Sequence, residues 1–233
     1  TEMKVLITCP TFLILNVTAN LQKMSTQKQE KQLNLIKRIK SLADAGLVYS
    51  ENKYDEERYT ELREISLELL SDISSQEIES LRSFIKPEKD YPTPKVDIRA
   101  FALNELKQIL LVKESYDGKW ALPGGWGDIG YTPSEVAIKE IKEETGLTAS
   151  PERILAIYDK RNHPHPPQPF YVYKIVFLCK LENYKTAKGF DIEDVAFFEI
   201  DNLPELSEDR ILKSQIQQLY SKVINGEKSV YYD

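Results

Sequence analysis

Three glutamates, Glu140, Glu143 and Glu144, carry the densest chemical signal in the chain. On a helix the spacing i, i+3, i+4 puts all three on one face, within a turn of one another. Carboxylates crowded in this way repel and hold protons more tightly than usual. A hard divalent cation resolves that conflict, because Mg²⁺ takes oxygen ligands and keeps several waters. Taken alone, the same spacing also describes a solvated acidic helix face.

The segment around the glutamates requires a helix. Thr132 is a helix-capping residue, Pro133 suits the first helical position, and Glu135 stands three residues after the cap. Gly146 is a fitting stop. The spacing therefore predicts a helix over 133–145, with Val136, Ile138 and Ile141 packing its other sides. Gly124, Gly125, Gly127 and Gly130 crowd the loop before it. Such glycine density lets backbone approach a metal or a phosphate closely, which a decorative acidic helix would not need.

The run LPGGWGDIGYTPSEVAIKEIKEETGL, residues 122–147, resembles the Nudix box: G, five residues, E, seven residues, then R-E-U-x-E-E-x-G-U with U aliphatic. Gly125 matches its first glycine, and Glu140, Ile141, Glu143, Glu144, Gly146 and Leu147 match its end in register. Tyr131 stands where the box has its first glutamate. Lys139 replaces the box arginine, keeping the charge but losing bidentate geometry. The DGKWALPGGW stretch, the Val-Asp-Ile-Arg strand start, the Tyr-Asp-Lys-x-x-His segment and a helical N-terminal part are similar to a bacterial Nudix branch of ADP-ribose and CDP-choline pyrophosphatases.

That resemblance implies an α+β Nudix fold, a mixed β-sheet sandwiched between helices, with a small all-α domain in front. It implies Mg²⁺ or Mn²⁺ on Glu140, Glu143, Glu144 and the Gly124 carbonyl, and catalytic roles for Glu143 and Glu144. Glu193, in a later loop, rivals Glu144 as general base, although it also fits an ordinary solvated turn. Arg99, Lys160, His163 and Trp126 are substrate-binding candidates; plain surface charge is the usual reading of such cations, less so for Arg99 within its strand, a plain proline-rich loop is the usual reading for His163, and a core role suits Trp126 equally. The implied reaction is hydrolysis of a nucleoside diphosphate joined to another group: ADP-ribose to AMP and ribose 5-phosphate, or CDP-choline to CMP and phosphocholine. A non-catalytic nucleotide sensor and an RNA-end pyrophosphohydrolase are the alternatives; a sensor would be expected to lose box glutamates.

The rest of the chain must position this segment. Residues 25–90 read as an N-terminal helical domain and 95–225 as the hydrolase domain, joined by Pro87, Pro92 and Pro94. In the first, Leu35, Ile36, Ile39, Leu42 and Ala43 recur at helix spacing, with Gly46 as a stop. Tyr59, Leu62, Ile65, Leu69 and Leu70 form a second stripe. Ser74 and Glu77 read as a capping box opening a third helix over Ile78, Leu81 and Ile85. This domain carries no catalytic cluster, so packing or homodimer contact is its expected role. In the second, 96–103 and 108–112 read as a β-hairpin, followed by an Asp117-Gly118 turn, strands at 154–158, 170–179 and 195–199, and a last helix over 207–223.

Residues 1–24 are an extension of uncertain status. Their apolar run is broken by Pro10 and too short to span a bilayer, and Met24 is the expected natural start. Asn16-Val17-Thr18 fits a glycosylation sequon of the kind that arises by chance. A net charge of −6 over 233 residues argues against extensive nucleic-acid contact. Cys9 and Cys179 stand apart and form no CxxC pair, which points to a reducing, cytoplasmic setting with no disulfide framework. His163 and His165 make an H-x-H pair with no third ligand at zinc spacing. The expected partner is a nucleotide-sugar or nucleotide-alcohol small molecule, with no membrane.

Overall fold

A computed structural model of the protein describes residues 27–86 and 90–233. The N-terminal extension, Cys9, the Asn16-Val17-Thr18 triplet, Met24 and Pro87 lie outside the described residues. The chain forms two compact units. One ends at Thr93 and also takes in Pro166–Phe170; the other holds Pro94–His165 and Tyr171–Asp233.

The helical unit holds α1 (Gln27–Tyr49), α2 (Lys53–Ser74) and α3 (Ile78–Phe84). Its core is Leu33, Ile36, Leu67, Leu70, Leu81 and Ile85. Three expectations fail here. Gly46 does not end α1, which runs on to Tyr49; a Cβ on Gly46 would lie 2.4 Å from the Tyr59 ring, so this glycine lets two helices touch. Ser74 does not open α3. It is the last residue of α2, its hydroxyl donates to the Leu70 carbonyl, and Ser75 ends the helix in the left-handed region. The apolar stripes are only partly inward: Leu35, Leu42, Leu62, Ile65 and Leu69 are 39–54% exposed.

The second unit contains two sheets. Its strands are β1 (Lys95–Ala102), β2 (Ile109–Glu114), β3 (Trp120–Ala121), β4 (Gly124–Trp126), β5 (Ala149–Asp159), β6 (Val172–Leu181), β7 (Ile192–Phe198) and β8 (Tyr231–Tyr232). They form a five-stranded sheet in the order β4-β1-β6-β5-β8 and a three-stranded sheet in the order β3-β2-β7. The first sheet is mixed: β1 runs parallel to β6 and antiparallel to β4. The expected β1–β2 hairpin is absent. The two strands belong to different sheets, and next to them a single isolated bridge joins Leu103 and Ile109, because β1 satisfies its backbone on β4 and β6 instead.

Two helices complete the unit, α4 (Pro133–Thr145) and α5 (Lys213–Ile224). The final helix begins later than its apolar pattern suggests. Residues 207–211 form a turn in which both Arg210 and Ile211 donate to the Ser207 carbonyl. Val136, Ala137 and Ile141 of α4 pack with Ile98, Ala100, Ala102, Leu110 and Phe177. Ile216 and Leu219 of α5 pack with Phe101, Ile109, Leu155 and Tyr158. Alternation along β1 therefore sends even-numbered residues to the α4 side and Phe101 to the α5 side, and both faces of the strand are buried.

Candidate active site

The α4 helix begins and ends on its own signals. The Thr132 hydroxyl accepts from the Glu135 N–H, the Glu135 carboxylate accepts from the Thr132 N–H, and Gly146 closes the helix at φ +70°. One face of the helix then lies over β4. Glu144 is 8% exposed and one of its oxygens accepts from the Gly124 N–H at 3.0 Å. Glu140 lies against Gly125: a Cβ there would stand 2.9 Å from its Oε1. Gly124 itself has φ +148°, and a Cβ on it would fall 2.1 Å from the Ile98 carbonyl oxygen. Gly125 thus lets the helix approach β4, and Gly124 lets β4 approach β1.

Electrostatics mark the same place. Burial pushes the Glu144 carboxyl up to about 8; the neighbouring Glu114 and Glu140 carboxylates add to this, while Arg99 and the Gly124 N–H oppose it. Burial likewise raises Glu140 and Glu114, against the pull of nearby cations. Glu143 behaves differently. Its side chain is 57% exposed and pairs with Lys139 at 2.8 Å; Lys139 also reaches Asp128 at 3.2 Å. Among the described residues, no three His, Cys, Asp or Glu side chains are grouped as a metal would need them. The donor set nonetheless fits a hard cation in part. Two half-buried to buried carboxylates converge on a glycine strand, and a third sits one turn away in an exposed ion pair.

The other sequence-named residues fall in several places. Arg99 is buried behind β4; its Nε donates to Asp97 at 2.9 Å and its Nη1 to the Leu122 carbonyl at 3.1 Å. Lys160 is buried and donates to the Asp209 backbone oxygen at 2.6 Å. His163 Nε2 lies 3.0 Å from both Asp233 carboxylate oxygens. His165 turns Nδ1 to the Glu208 carbonyl at 2.6 Å, so the two histidines serve different partners. Glu193 is on β7 and pairs with Lys113 at 2.8 Å. Trp126, half exposed, has the Lys95 ammonium 5.7 Å from its ring centroid. Trp120 packs against Phe198 at 4.7 Å.

Four residues at the site were not read from the sequence: Glu114, Arg210, Asp97 and Lys174. Glu114, at the end of β2, is 7% exposed and pairs with Arg210 at 2.8 Å. Lys174 of β6 is fully buried and bonds Asp97. A signal for Lys174 existed: in VYKIVFLCKL it occupies the inward row with Val172 and Val176, and an inward lysine demands a buried partner. Glu114 likewise breaks the apolar run ILLVKE.

Similarity to known proteins says to which class a mixed sheet whose edge glycines meet a carboxylate-bearing helix belongs here. Residues 93–219 match the NUDIX domain, and residues 30–85 match the UDP-X-like N-terminal oligomerisation domain. A candidate ADP-ribose pyrophosphatase of Bacillus subtilis is 42% identical over 205 residues, covering 88% of this chain and 98% of that protein. An ADP-ribose pyrophosphatase of Methanocaldococcus jannaschii is 34% identical over 115 residues, 47% of this chain and 66% of that one. The crystal structure of a UDP-X diphosphatase superposes with a TM-score of 0.57 at 38% identity, covering 88% and 99% of the two chains. The chain belongs to the Nudix family and is a Nudix hydrolase, with an oligomerisation-type helical domain ahead of the hydrolase domain.

Proposed function

We propose that the protein hydrolyses the pyrophosphate linkage of a nucleoside diphosphate joined to a second group, with ADP-ribose and CDP-choline as the first substrates to test. The convergence of Glu140 and Glu144 on the Gly124–Gly125 strand carries this reading. Relatives named for ADP-ribose pyrophosphatase and UDP-X diphosphatase activity support it and add UDP-linked compounds to the substrate set. Glu140, Glu144 and the Gly124 carbonyl would hold Mg²⁺ or Mn²⁺, with Glu143 joining once released from Lys139. Such an ion, when bound, neutralises phosphate oxygens and lowers the pKa of water. Glu144 takes the base role in this reading, since it is the buried carboxylate held on the Gly124 N–H at the centre of the site. Glu193, paired with Lys113, is the rival.

The test is to incubate the protein with ADP-ribose, CDP-choline and a UDP-linked sugar plus Mg²⁺ or Mn²⁺, and to score released nucleoside monophosphate. Turnover by wild type separates enzyme from sensor, and Glu143→Gln tests the metal set. Glu143 is paired with Lys139 in an exposed ion pair, so its place in the metal set is what this variant tests. Turnover that survives Glu143→Gln with less than a tenfold loss would remove Glu143 from the metal set. Nucleotide binding with no turnover would establish the sensor.

We further propose a homodimer formed through the helical unit, supported by its exposed leucines and isoleucine and by the family description. A cytoplasmic setting is proposed on the unpaired, buried Cys179 thiol. Among the described residues, no helix is long and apolar enough to cross a membrane.

A further inference from the structure

Lys174 is the least expected charge in the hydrolase unit. It has no solvent exposure, and it stands on β6 in register with Asp97 on the parallel neighbour β1. Its ammonium donates to one Asp97 carboxylate oxygen and to the Arg210 backbone carbonyl. Each of these two partners leads to the carboxylate site by a further bond. The other oxygen of Asp97 accepts from Arg99 Nε at 2.9 Å, and Arg99 Nη1 is fixed on the Leu122 carbonyl at 3.1 Å, two residues before Gly124. On the other side, Arg210 Nε pairs with Glu114 at 2.8 Å. Arg99 is the register partner of Gly124 across β1 and β4, and the Gly124 N–H donates to the Glu144 carboxylate at 3.0 Å.

A buried ion pair is weak support for stability, since apolar residues of equal volume often serve as well. A lysine with no exposure, spanning two strands and a turn, therefore invites a second explanation. We infer that Lys174 is a positioning residue: through Asp97 it holds Arg99, the register partner of Gly124, and through the Arg210 carbonyl it holds Arg210 on Glu114 at the end of β2, so that the Gly124 N–H stays in place for Glu144. Lys174 touches no substrate; it acts through these two chains of bonds. The inference rests on the hydrolase reading above for its kinetic consequence but not for its geometry.

The experiment compares wild type with Lys174→Met on the full chain. Because Lys174→Met leaves buried Asp97 with Arg99 as its remaining partner, the double variant Lys174→Met/Asp97→Asn, which keeps an oxygen for the Arg99 Nε–H, provides a second test with no change in net buried charge. Folded protein is counted by near-UV circular dichroism. Two readouts follow: kcat and KM on the best nucleoside diphosphate substrate, and the Arg99 Nε–H cross-peak in a ¹H–¹⁵N spectrum. Expected is a fall in kcat per folded molecule of roughly tenfold or more with KM within about twofold, and an Arg99 signal that shifts or broadens. An unchanged kcat per folded molecule with an unchanged Arg99 signal overturns the inference, as does a rise in KM alone, which would mark a substrate contact. If wild type turns over no nucleoside diphosphate, the hydrolase reading fails by itself, and the Arg99 signal still decides whether Lys174 holds the arginine.

Discussion

The helix α4 and the pair α1–α2 bury their apolar residues to very different degrees. Val136, Ala137 and Ile141 of α4 are fully inside the sheet unit. On α1 and α2, Leu35 and Leu42 stand seven residues apart, and Leu62, Ile65 and Leu69 lie along one side, all at least 39% exposed. A helix whose polar face carries the chemistry is completed by its own chain. A helix pair that leaves two apolar rows in water is not, which is what an oligomerisation domain requires.

Breaking α4 should have the largest effect. Glu144→Gln is expected to lower kcat by about 100-fold or more, since it removes both a candidate ligand and the candidate base. A loss below tenfold, measured by release of nucleoside monophosphate, would shift the chemistry to Glu193. Next comes Gly124→Ala. The new methyl would meet the Ile98 carbonyl at a backbone angle that alanine avoids, so about 3 kcal/mol or more of stability should be lost. Urea denaturation reads this directly, and an unchanged midpoint would refute the close approach of β4 and β1.

The other side of the comparison is tested by Leu62→Glu combined with Leu69→Glu. These charges should convert a dimer to a monomer in light scattering while leaving each unit folded; a mass that does not change would show that the rows serve some other purpose. A smaller effect sharpens the picture of α4. Thr132→Ala removes the accepting hydroxyl of the capping box and should cost about 1 kcal/mol, seen as a drop in Tm of a few degrees.

A separate effect concerns acid. Burial, with Lys160 and Lys174 nearby, depresses the His165 pKa to about 3 from 6.5, and its Nε2 is buried without a partner. Between those values the unfolded chain takes a proton that the folded chain refuses, so stability falls as pH drops below about 6.5. His165→Asn should lack that part of the fall. Stability of the two proteins tracked from pH 7 to pH 4 should therefore converge; curves that stay parallel would mean that His165 titrates normally.

These regions also differ in how far sequence reveals them. Helix α4 is readable to the residue because Thr132, Pro133, Glu135 and Gly146 act within one turn of its ends. The β1–β2 hairpin is misread for the opposite reason: the partner of β1 is β6, more than seventy residues on, and a run of β-branched and aliphatic residues does not say with whom it pairs. Gly46 looks like a stop because what it contacts, the Tyr59 ring, is on another helix. The positions of Glu140 and Glu144 on one face follow from spacing. The Lys139–Glu143 ion pair is an i, i+4 contact that spacing also offers, whereas the Arg99 and Glu114 charges that act on Glu144 depend on tertiary neighbours that no periodicity encodes.

The double-sided burial of β1 has a further consequence. Odd positions Asp97 and Arg99 carry charge, and even positions Ile98, Ala100 and Ala102 carry carbon. Inserting a single amino acid at the start of the strand would exchange the two rows, thrusting a guanidinium toward α4 and a sec-butyl group toward Lys174. Inserting two would restore the rows but carry Arg99 past Leu122. The strand therefore tolerates neither frame, and lineages descending from this gene should vary in length everywhere around β1 before they vary within it.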